Sequence, residues 1–331
     1  MRCTVLGAGS WGTALAVQLA RNGHDTLIWD RNPGRCAVMN SEHRNPRYLK
    51  TVELPHNLRA EPDLAVATAH ASLLVPVVPS HALREVMEQA LPSLAPSAQI
   101  CCATKGIEDG TLETMHELLV QVTGTPERIS MLYGPSFALE VARGLPTAVV
   151  IAGPDRTAQI ASEAFHDERF RCYHTEDTVG VCIGGSLKNV MAIACGVSDG
   201  VGLGSNARAG IITRGLAEIT RLAVARGANP LTLAGLAGMG DLVLTCTGDL
   251  SRNRRVGLAL GQGRTLEDIL EELGEVAEGV ITAKTARDLA HATGVEMPIT
   301  EEIHALLYDG KPARAALESL MGRRRRAERD H

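Results

Sequence analysis

The chain carries VLGAGSWGTALA at residues 5–16, with glycines at positions 7, 9 and 12. In a turn with the spacing G-x-G-x-x-G, the first glycine permits a sharp passage from strand to helix, and the second lets the backbone approach a pyrophosphate. The third lets the helix pack closely on the strand, and the N–H groups at the helix start face the phosphates. Three glycines at this spacing are weak evidence alone, so the flanking segments decide.

The segments around the glycine turn follow the order of a dinucleotide-binding unit. CTVL before the turn is a short apolar and β-branched run that is typical of a buried strand. TALAVQLARNG after it contains good helix formers and ends in Asn22-Gly23, which indicates a helix stop. A second strand candidate, DTLIWDRN, reaches Asp30, 23 residues after Gly7 and near the expected position of an acid that binds the adenosine ribose. We therefore expect a bound NAD or NADP.

Two adjacent residues leave the choice of cofactor open. An acid such as Asp30 favours the free ribose 2′-hydroxyl of NAD, whereas a nearby cation such as Arg31 can hold the 2′-phosphate of NADP. The sequence offers both groups. Use of NADH, of NADPH or of both is therefore expected.

Composition excludes several classes of protein. The 331 residues are enough for two domains, and 45% apolar with 21% charged residues is normal for a globular protein. A net charge of −5 provides no general attraction for nucleic acid. We find no apolar stretch approaching the ~20 residues of a membrane span. We therefore expect a cytoplasmic protein without nucleic acid or membrane partners.

The cysteines and histidines show no pattern of a metal site. The eight cysteines form no C-x-x-C pair, and most lie in apolar runs such as QICCAT. This distribution indicates free, buried thiols in a reducing compartment. The eleven histidines show no ligand spacing such as H-E-x-x-H. We expect no metal.

The first part of the chain alternates between strand and helix candidates. Such alternation predicts an α/β, Rossmann-like, doubly wound and mostly parallel sheet, which we assign to residues 1–183. Ligands in these sheets lie beyond the carboxyl ends of the strands, where residues 77–83 and 103–106 would fall. Beyond the first two strands, the candidates are SLLVPVV, QICCAT, RISMLY, TAVVIAG and RFRCYH.

The remainder of the chain is predicted to be helical. From about residue 180, apolar residues recur at helical spacing and no strand series is evident, so residues 184–321 are predicted to form a mainly α-helical substrate-binding and catalytic domain. The junction is expected at a turn around Gly184-Gly185. The last ten residues, GRRRRAERDH at 322–331, are basic, and charge patterning favours a solvated, frayed end over a nucleic-acid site.

A dinucleotide domain followed by a helical domain suggests a dehydrogenase with substrate in the cleft between them. Lys188 follows the Gly-Gly pair, and its ammonium group can protonate a carbonyl oxygen as charge develops there. A lysine on an apolar helix is often only a snorkelling surface residue. Asp241, if buried near Lys188, would keep the lysine charged, although an aspartate is also a common helix N-cap.

The tripeptide Ser251-Arg252-Asn253 suits a phosphate monoester. A guanidinium can bind two phosphate oxygens at once, and the flanking side chains add neutral hydrogen bonds. In isolation such a tripeptide is more often an ordinary polar loop.

Taken together, these motifs resemble those of the bacterial NAD(P)-dependent glycerol-3-phosphate dehydrogenases. They run in order from residue 7 to 280 and cover nearly the whole chain. One departure is Asp30 before Arg31, because many relatives that use NADPH lack an acid there. The matching segments are GAGSWGTALA, VPSHALR, ATKGIE, GPSFALEVARGLPTA, LKNVMAIACGVSDGVGLGSNARA, TRGLAEI, GLAGMGDLVLTC, SRNRRVG and VAEGV.

The resemblance implies reversible hydride transfer between NADH or NADPH and dihydroxyacetone phosphate, giving sn-glycerol 3-phosphate for phospholipid synthesis in a homodimer. It implies that Lys188 is the general acid/base. With the glycine turn included, the implied cofactor contacts are Gly7, Gly9, Ser10, Trp11, Gly12, Arg31, Lys105, Ala138, Arg252, Val276 and Glu278. The implied substrate contacts are Lys105, Gly134, Ser136, Lys188, Asp241, Ser251, Arg252 and Asn253.

Two other functions remain as alternatives. A related two-domain dehydrogenase of β-hydroxy acids also uses a lysine at the start of its second domain, but the SRN and GPSFA segments count against it. A non-catalytic dinucleotide sensor would bind cofactor without turnover. That alternative leaves Lys188, Asp241 and Arg252 without a joint purpose.

Overall fold

The protein is described by a computed structural model that covers residues 1–274 and 277–323. The chain forms two compact units. The first contains Met1–Lys105 and Glu113–Thr178, and the second contains Gly106–Leu112 and Val179–His331. Val276, an expected cofactor contact, and residues 324–331 of the expected basic tail lie outside the described residues. Arg323, at the start of that tail, forms an ion pair with Glu296 at 3.2 Å.

The first unit is built on an eight-stranded sheet in the order β3-β2-β1-β4-β5-β6-β7-β8. Strands β1 to β6 pair in parallel, β7 is antiparallel to β6, and β8 is parallel to β7. The mostly parallel sheet and the five later strand candidates are therefore confirmed. The strands are β1 (Arg2–Leu6), β2 (Asp25–Trp29), β3 (Leu58–Glu61), β4 (Leu73–Pro76), β5 (Gln99–Cys102), β6 (Ile129–Tyr133), β7 (Thr147–Ala152) and β8 (Phe170–Thr175).

Seven helices connect these strands. Helix α1 buries Leu15 and Leu19 against the sheet residues Val5 and Ile28 in one continuous apolar core. The predicted stop at Asn22-Gly23 is confirmed, since Asn22 is the C-cap of α1 and Gly23 has φ +81°. The helices are α1 (Ser10–Arg21), α2 (Pro33–Glu42), α3 (Leu64–His70), α4 (Leu83–Ala90), α5 (Met115–Thr123), α6 (Ala138–Ala142) and α7 (Asp155–Phe165).

The strand order fixes where a ligand can approach the first unit. From β1, the chain proceeds outward to β2 and β3 and then returns to place β4 on the other side of β1. Such a reversal opens a crevice beyond the carboxyl ends of the two central strands. The glycine turn follows β1 and residues 77–83 follow β4, so both lie at this edge.

The second unit is helical, and its described residues contain no strand, which confirms the predicted change of character. Its core combines α8 residues such as Leu187 and Val190 with Leu222, Leu289 and Ile107. The helices are α8 (Thr178–Val201), α9 (Gly204–Ala225), α10 (Pro230–Ala234), α11 (Asp241–Thr247), α12 (Arg252–Gly261), α13 (Leu266–Leu273), α14 (Glu278–Thr293), α15 (Pro298–Tyr308) and α16 (Ala313–Met321).

The expected turn at Gly184-Gly185 is wrong, because α8 runs through both glycines without interruption. Gly184 serves packing instead. A Cβ at this position would lie 2.9 Å from the carbonyl oxygen of Ala237 and 3.0 Å from Leu233 Cδ1. Burial of the surrounding apolar face outweighs the low helix propensity of glycine, which costs about 1 kcal/mol relative to alanine.

Helices α8 and α12 touch through paired glycines. A Cβ on Gly196 would lie 2.1 Å from the carbonyl oxygen of Arg254, and one on Gly257 would lie 2.0 Å from that of Ile193. Backbones at this separation leave no room for side chains between them. The start of α12, with Ser251 and Arg252, is thereby fixed relative to α8.

Helix α8 corrects the expectation that no apolar stretch approaches the length of a membrane span. It has 24 residues, and an 18-residue window has a mean hydropathy of 1.5. Within the described chain, 94% of that window is buried. The central helix of a folded core has this pattern.

Candidate functional site

The glycine turn of the first unit depends on missing side chains at two of its three positions. Gly7 has φ +115°, and a Cβ there would lie 3.0 Å from the carbonyl oxygen of Val77. A Cβ on Gly12 would lie 1.9 Å from the carbonyl oxygen of Gly7, so only glycine fits. Gly9 differs, because a Cβ there would meet no atom within 4 Å. Its open side leaves room for a ligand to approach the backbone.

Helix α1 begins directly at this opening. Gly9 is its N-cap and supplies no side chain to the first N–H groups. At the second position of the helix, the Trp11 Nε1 atom is buried but finds no hydrogen-bond partner within residues 1–274 and 277–323. Helix N-termini attract anions, and an orphaned buried donor suits a polar ligand. The turn is therefore shaped for a dinucleotide.

The acid at the end of β2 is engaged in an ion pair. The Asp30 side chain is 5% exposed and accepts hydrogen bonds from Arg35 Nε at 2.8 Å and Arg35 Nη2 at 2.5 Å. The backbone N–H of Asn32 donates a third, at 2.9 Å. Arg31, in contrast, is exposed. Sequence reasoning missed Arg35, although its position five residues after an acid at a strand end was visible.

Lys105 supplies a cation at the same edge of the sheet. It follows β5, and its Nζ lies 5.3 Å from the centre of the Tyr133 ring, within the range of a cation–π contact. The Tyr133 hydroxyl donates to the carbonyl oxygen of Thr104 at 2.6 Å and fixes that ring. Because β5 and β6 are parallel neighbours, the residues that follow each strand lie side by side.

The segment after β6 holds Gly134, Ser136 and Ala138. Gly134 has φ +139°, and a Cβ there would lie 2.9 Å from Val149 Cα. The Ser136 hydroxyl donates to the carbonyl oxygen of Gly134 at 2.9 Å. Ala138 is half-buried and begins α6. The backbone thus turns sharply at the sheet edge.

The second unit contains a buried lysine–aspartate pair. Lys188 is 8% exposed and Asp241 is 1% exposed. The Lys188 Nζ donates hydrogen bonds to Asp241 Oδ1 and, at 2.9 Å, to the hydroxyl of Thr245. The Thr245 hydroxyl in turn donates to the carbonyl oxygen of Asp241 at 2.6 Å. A carboxylate stabilises the charged form of a buried ammonium group, and the two hydrogen bonds orient it.

Local structure explains how Asp241 reaches Lys188. The glycine-rich segment Leu236–Gly240 forms a π-helical turn that leads into α11. Within it, a Cβ on Gly238 would lie 2.0 Å from the carbonyl oxygen of Leu233. Asp241 is the first residue of α11, whose N-cap is Gly240, so the aspartate is not the helix cap. Thr245 lies one turn later on the same face, a spacing that sequence reasoning overlooked.

The tripeptide at residues 251–253 begins α12. Ser251 is its N-cap, and its hydroxyl accepts a hydrogen bond from the Arg254 N–H at 3.2 Å. Arg252 is exposed at the first helical position. The buried Asn253 accepts a hydrogen bond from the Gly279 N–H at 3.0 Å through its Oδ1 atom. Two of these side chains therefore hold structure, while the arginine projects beside the positive end of a helix.

Gly279, the last residue of the VAEG segment, contacts this tripeptide. Glu278 begins α14, and Gly279 next to it contacts Asn253. A Cβ on Gly279 would lie 2.8 Å from the carbonyl oxygen of Asn189, which follows Lys188 on α8. The second unit therefore brings the starts of α12 and α14 against the middle of α8. The expected Val276 contact falls outside the described residues.

The cysteines are free, and seven of the eight are buried. Burial raises the pKa of the Cys102 thiol to about 12, so this group stays protonated and unreactive. Within residues 1–274 and 277–323, no three or more histidine, cysteine or acidic side chains cluster as a metal site would need.

Two family models match the chain in succession. One describes the N-terminus of NAD-dependent glycerol-3-phosphate dehydrogenase and matches residues 2–159, and the other describes its C-terminus and matches residues 177–318. A relative from Anaeromyxobacter dehalogenans named glycerol-3-phosphate dehydrogenase [NAD(P)+] is 53% identical, covering 99% of this chain and 100% of its own. One of that name from Myxococcus xanthus is 51% identical, covering 99% of each.

A solved structure supports the same conclusion. The glycerol-3-phosphate dehydrogenase of Coxiella burnetii superposes with a TM-score of 0.93 at 41% identity, covering 97% of this chain and 98% of that one. The similarity thus extends over both units and includes the segments that carry the glycine turn and the Lys188–Asp241 pair. The chain belongs to the NAD-dependent glycerol-3-phosphate dehydrogenase family.

Proposed function

We propose that the protein is an NAD(P)-dependent sn-glycerol-3-phosphate dehydrogenase. It interconverts dihydroxyacetone phosphate and sn-glycerol 3-phosphate, which supplies the backbone of glycerophospholipids. The observation that carries the proposal is the buried Lys188–Asp241–Thr245 arrangement in a chain of this family. A buried ammonium group that a carboxylate and a hydroxyl hold in one orientation can stabilise charge developing on a substrate oxygen and transfer a proton to it.

The first unit fits a dinucleotide. The open side of Gly9 and the start of α1 with Ser10 would face the pyrophosphate, and the orphaned Nε1 of Trp11 would gain a partner. When bound, the nicotinamide supplies or accepts the hydride. Lys105, Ala138, Arg252, Val276 and Glu278 are further proposed cofactor contacts, on the family resemblance, as is Arg31.

Lys188 is the proposed general acid/base. In the direction of reduction, its ammonium group hydrogen-bonds the ketone oxygen, stabilises the charge that develops there and transfers a proton to it. In the reverse direction, the neutral amine accepts the hydroxyl proton. Asp241 and Thr245 keep Nζ in one orientation and favour its charged form before the reaction.

The phosphate of the substrate is assigned to the start of α12. The Arg252 guanidinium can bind two phosphate oxygens, and the positive end of the helix adds to the attraction. Ser251 and Asn253 fix this helix start, so they serve binding through position. The resemblance adds Lys105, Gly134 and Ser136 as substrate contacts.

We further propose a cytoplasmic homodimer. The free thiols suit a reducing compartment. The homodimer is proposed on the family resemblance. Light scattering coupled to size-exclusion chromatography should give twice the chain mass of 35.1 kDa.

The test of the proposed reaction is oxidation of NADH and NADPH, measured separately, with dihydroxyacetone phosphate and with unphosphorylated dihydroxyacetone. We expect turnover that requires the phosphate. Turnover of β-hydroxy acids instead would contradict the proposed substrate. Cofactor binding without turnover of any ketone would contradict the proposal that the protein is an enzyme.

A further inference from the structure

One acid and two arginines lie just beyond the end of β2, at the position where the adenosine ribose of a bound dinucleotide would contact the protein. Asp30 directly follows Trp29, the last residue of β2. The Gly7 N–H donates a hydrogen bond to the carbonyl oxygen of Trp29 at 3.1 Å. The carboxylate therefore lies directly beside the glycine turn. In this family of sheets, an acid at this position accepts a hydrogen bond from the ribose 2′-hydroxyl.

Arg35 forms an ion pair with that carboxylate. Its guanidinium donates to both Asp30 oxygens, at 2.8 and 2.5 Å, and the Asn32 N–H uses a further acceptor position on Oδ1. The pair is largely buried, with the Asp30 side chain 5% and the Arg35 side chain 25% exposed. Two parallel N–H···O bonds in such a setting are strong and directional.

The ion pair changes what this corner of the molecule presents to a ligand. With Asp30 neutralised by Arg35, the adjacent exposed Arg31 adds a positive charge at the end of β2. Without Arg35, a buried carboxylate would repel a 2′-phosphate and offer its oxygens to a 2′-hydroxyl. The same acid thus permits opposite preferences, depending on its partner.

We infer that Arg35 is a specificity-determining residue, which masks Asp30 and so allows the site to accept the 2′-phosphate of NADP(H). The inference rests on the proposed function, in that it assumes a dinucleotide on the glycine turn. Arg35 acts through Asp30 and is a positioning residue. The protein then binds 2′-phosphorylated adenosine at least as tightly as the unphosphorylated form.

The test is a calorimetric titration with adenosine 2′,5′-bisphosphate and adenosine 5′-monophosphate, which lack nicotinamide and cannot turn over. For Arg35→Met, we expect the ratio of the two affinities to shift toward the monophosphate by about 10- to 100-fold, the range for a charged hydrogen-bonding group. For Asp30→Asn, the ratio should stay or move toward the bisphosphate. NADPH and NADH should follow the same order in kcat/KM.

The double variant D30N/R35M separates masking from direct contact. If Arg35 acts by masking, adding R35M to D30N should change the ratio much less than adding R35M to the wild type. An equal change in both backgrounds would overturn the masking role. Arg59→Met is the matched control, because Arg59 also pairs with an aspartate, Asp25, in this unit but is exposed; its ratio should equal that of the wild type.

Arg35→Gln keeps the test decisive if R35M does not fold, since its amide can still donate a hydrogen bond to Asp30 but carries no charge that would neutralise the carboxylate. A several-fold shift toward the monophosphate supports the inference, and an unchanged ratio overturns it. The experiment distinguishes a failure of the proposed cofactor site from a failure of the proposed role of Arg35. Wild-type protein that binds neither nucleotide contradicts the proposed cofactor site, whereas binding of both with a ratio that no variant moves contradicts only the role of Arg35.

Discussion

The glycine turn of the first unit and the Lys188–Asp241 pair of the second are built in opposite ways. The turn consists of neighbouring residues, and it functions because side chains are absent at Gly7 and Gly12. The pair consists of two buried charges 53 residues apart, which meet only because α8 and α11 pack together. The turn is an open space lined by backbone atoms, whereas the pair fixes the position of a charged side chain.

This difference determines how each region responds to change. A backbone site tolerates little added volume but contains no charge that could be stranded. A buried ion pair tolerates changes of shape poorly as well, and losing one partner leaves the other charge uncompensated. The expected effects below follow from this contrast and run from the largest to the smallest.

Replacing Lys188 by alanine should lower turnover of dihydroxyacetone phosphate by about 10²- to 10⁴-fold, the range for general acid catalysis. Cofactor affinity should be retained, because Lys188 is not among the proposed cofactor contacts. Steady-state kinetics and NADPH fluorescence titration measure the two quantities. Lys284→Ala is the matched control, since Lys284 pairs with Asp109 but is 44% exposed. Near-normal turnover of K188A would remove Lys188 from the mechanism.

Asp241→Asn should destabilise the folded protein by about 3–5 kcal/mol, because it leaves a buried ammonium group without its carboxylate. Urea unfolding followed by circular dichroism measures the change. Asp109→Asn breaks the exposed pair with Lys284 and should leave the midpoint unchanged. If the two variants have the same urea midpoint, the carboxylate of Asp241 does not stabilise the folded protein by compensating the charge of Lys188.

The buried carboxyl of Glu218, which accepts hydrogen bonds mainly from N–H groups, should make the stability of the protein depend on pH. It accepts hydrogen bonds from the N–H groups of Ile299 and Thr300, and burial raises its pKa from 4.5 to about 7. Because the folded state holds the proton more tightly, stability should fall as pH rises from about 4.5 to 7, by roughly 3 kcal/mol.

Urea unfolding at pH 5 and pH 8 gives the corresponding measurement. Glu218→Gln should lose most of this pH dependence, whereas the exposed Glu271→Gln should keep it. A pH dependence of equal size in E218Q and the wild type would assign the effect to other groups.

The glycine turn offers a graded pair of variants. Gly12→Ala should destabilise the first unit by about 1–3 kcal/mol, since its Cβ would collide with the backbone. Gly9→Ala should cost less than about 1 kcal/mol, the loss of a favourable N-cap, yet weaken cofactor binding about tenfold. Thermal unfolding and fluorescence titration separate the two. Cofactor binding by G9A equal to wild type would mean that no phosphate approaches Gly9.

Arg252→Ala should raise KM for dihydroxyacetone phosphate by about tenfold or more, because a charged hydrogen bond to phosphate is lost. The stability of the protein should not change, since Arg252 is exposed. Arg255, exposed on the same helix, provides the control variant Arg255→Ala. An unchanged KM in R252A would argue against a phosphate at the start of α12.

Local pattern was enough for most of the fold. The strands of the sheet are short apolar runs, and the glycine spacing identifies the turn that follows β1. Strand β3 was missed, since LRAE alternates apolar with charged residues and forms no apolar run. The junction at Gly184-Gly185 was misplaced because the demand for close packing against Ala237 overrides the turn preference of glycine.

The site was only partly predictable for the same reason. Lys188 and Asp241 could be named as candidates by residue type, but their pairing depends on tertiary structure. The spacing of Arg35 after Asp30 and of Thr245 after Asp241 was visible in the sequence, but the contacts that these two side chains make depend on their positions in the fold.

The short segment Gly106–Leu112 gives the two units unequal independence. It belongs to the second unit although the chain returns to the first for residues 113–178. Ile107 is part of the second core, and Gly106 exchanges hydrogen bonds with Ser186, 80 residues later. During synthesis, this segment must wait for most of its unit to emerge. A recombination event at residue 178 would also leave it behind, so a helical unit transplanted onto another nucleotide-binding partner must bring residues 106–112 along.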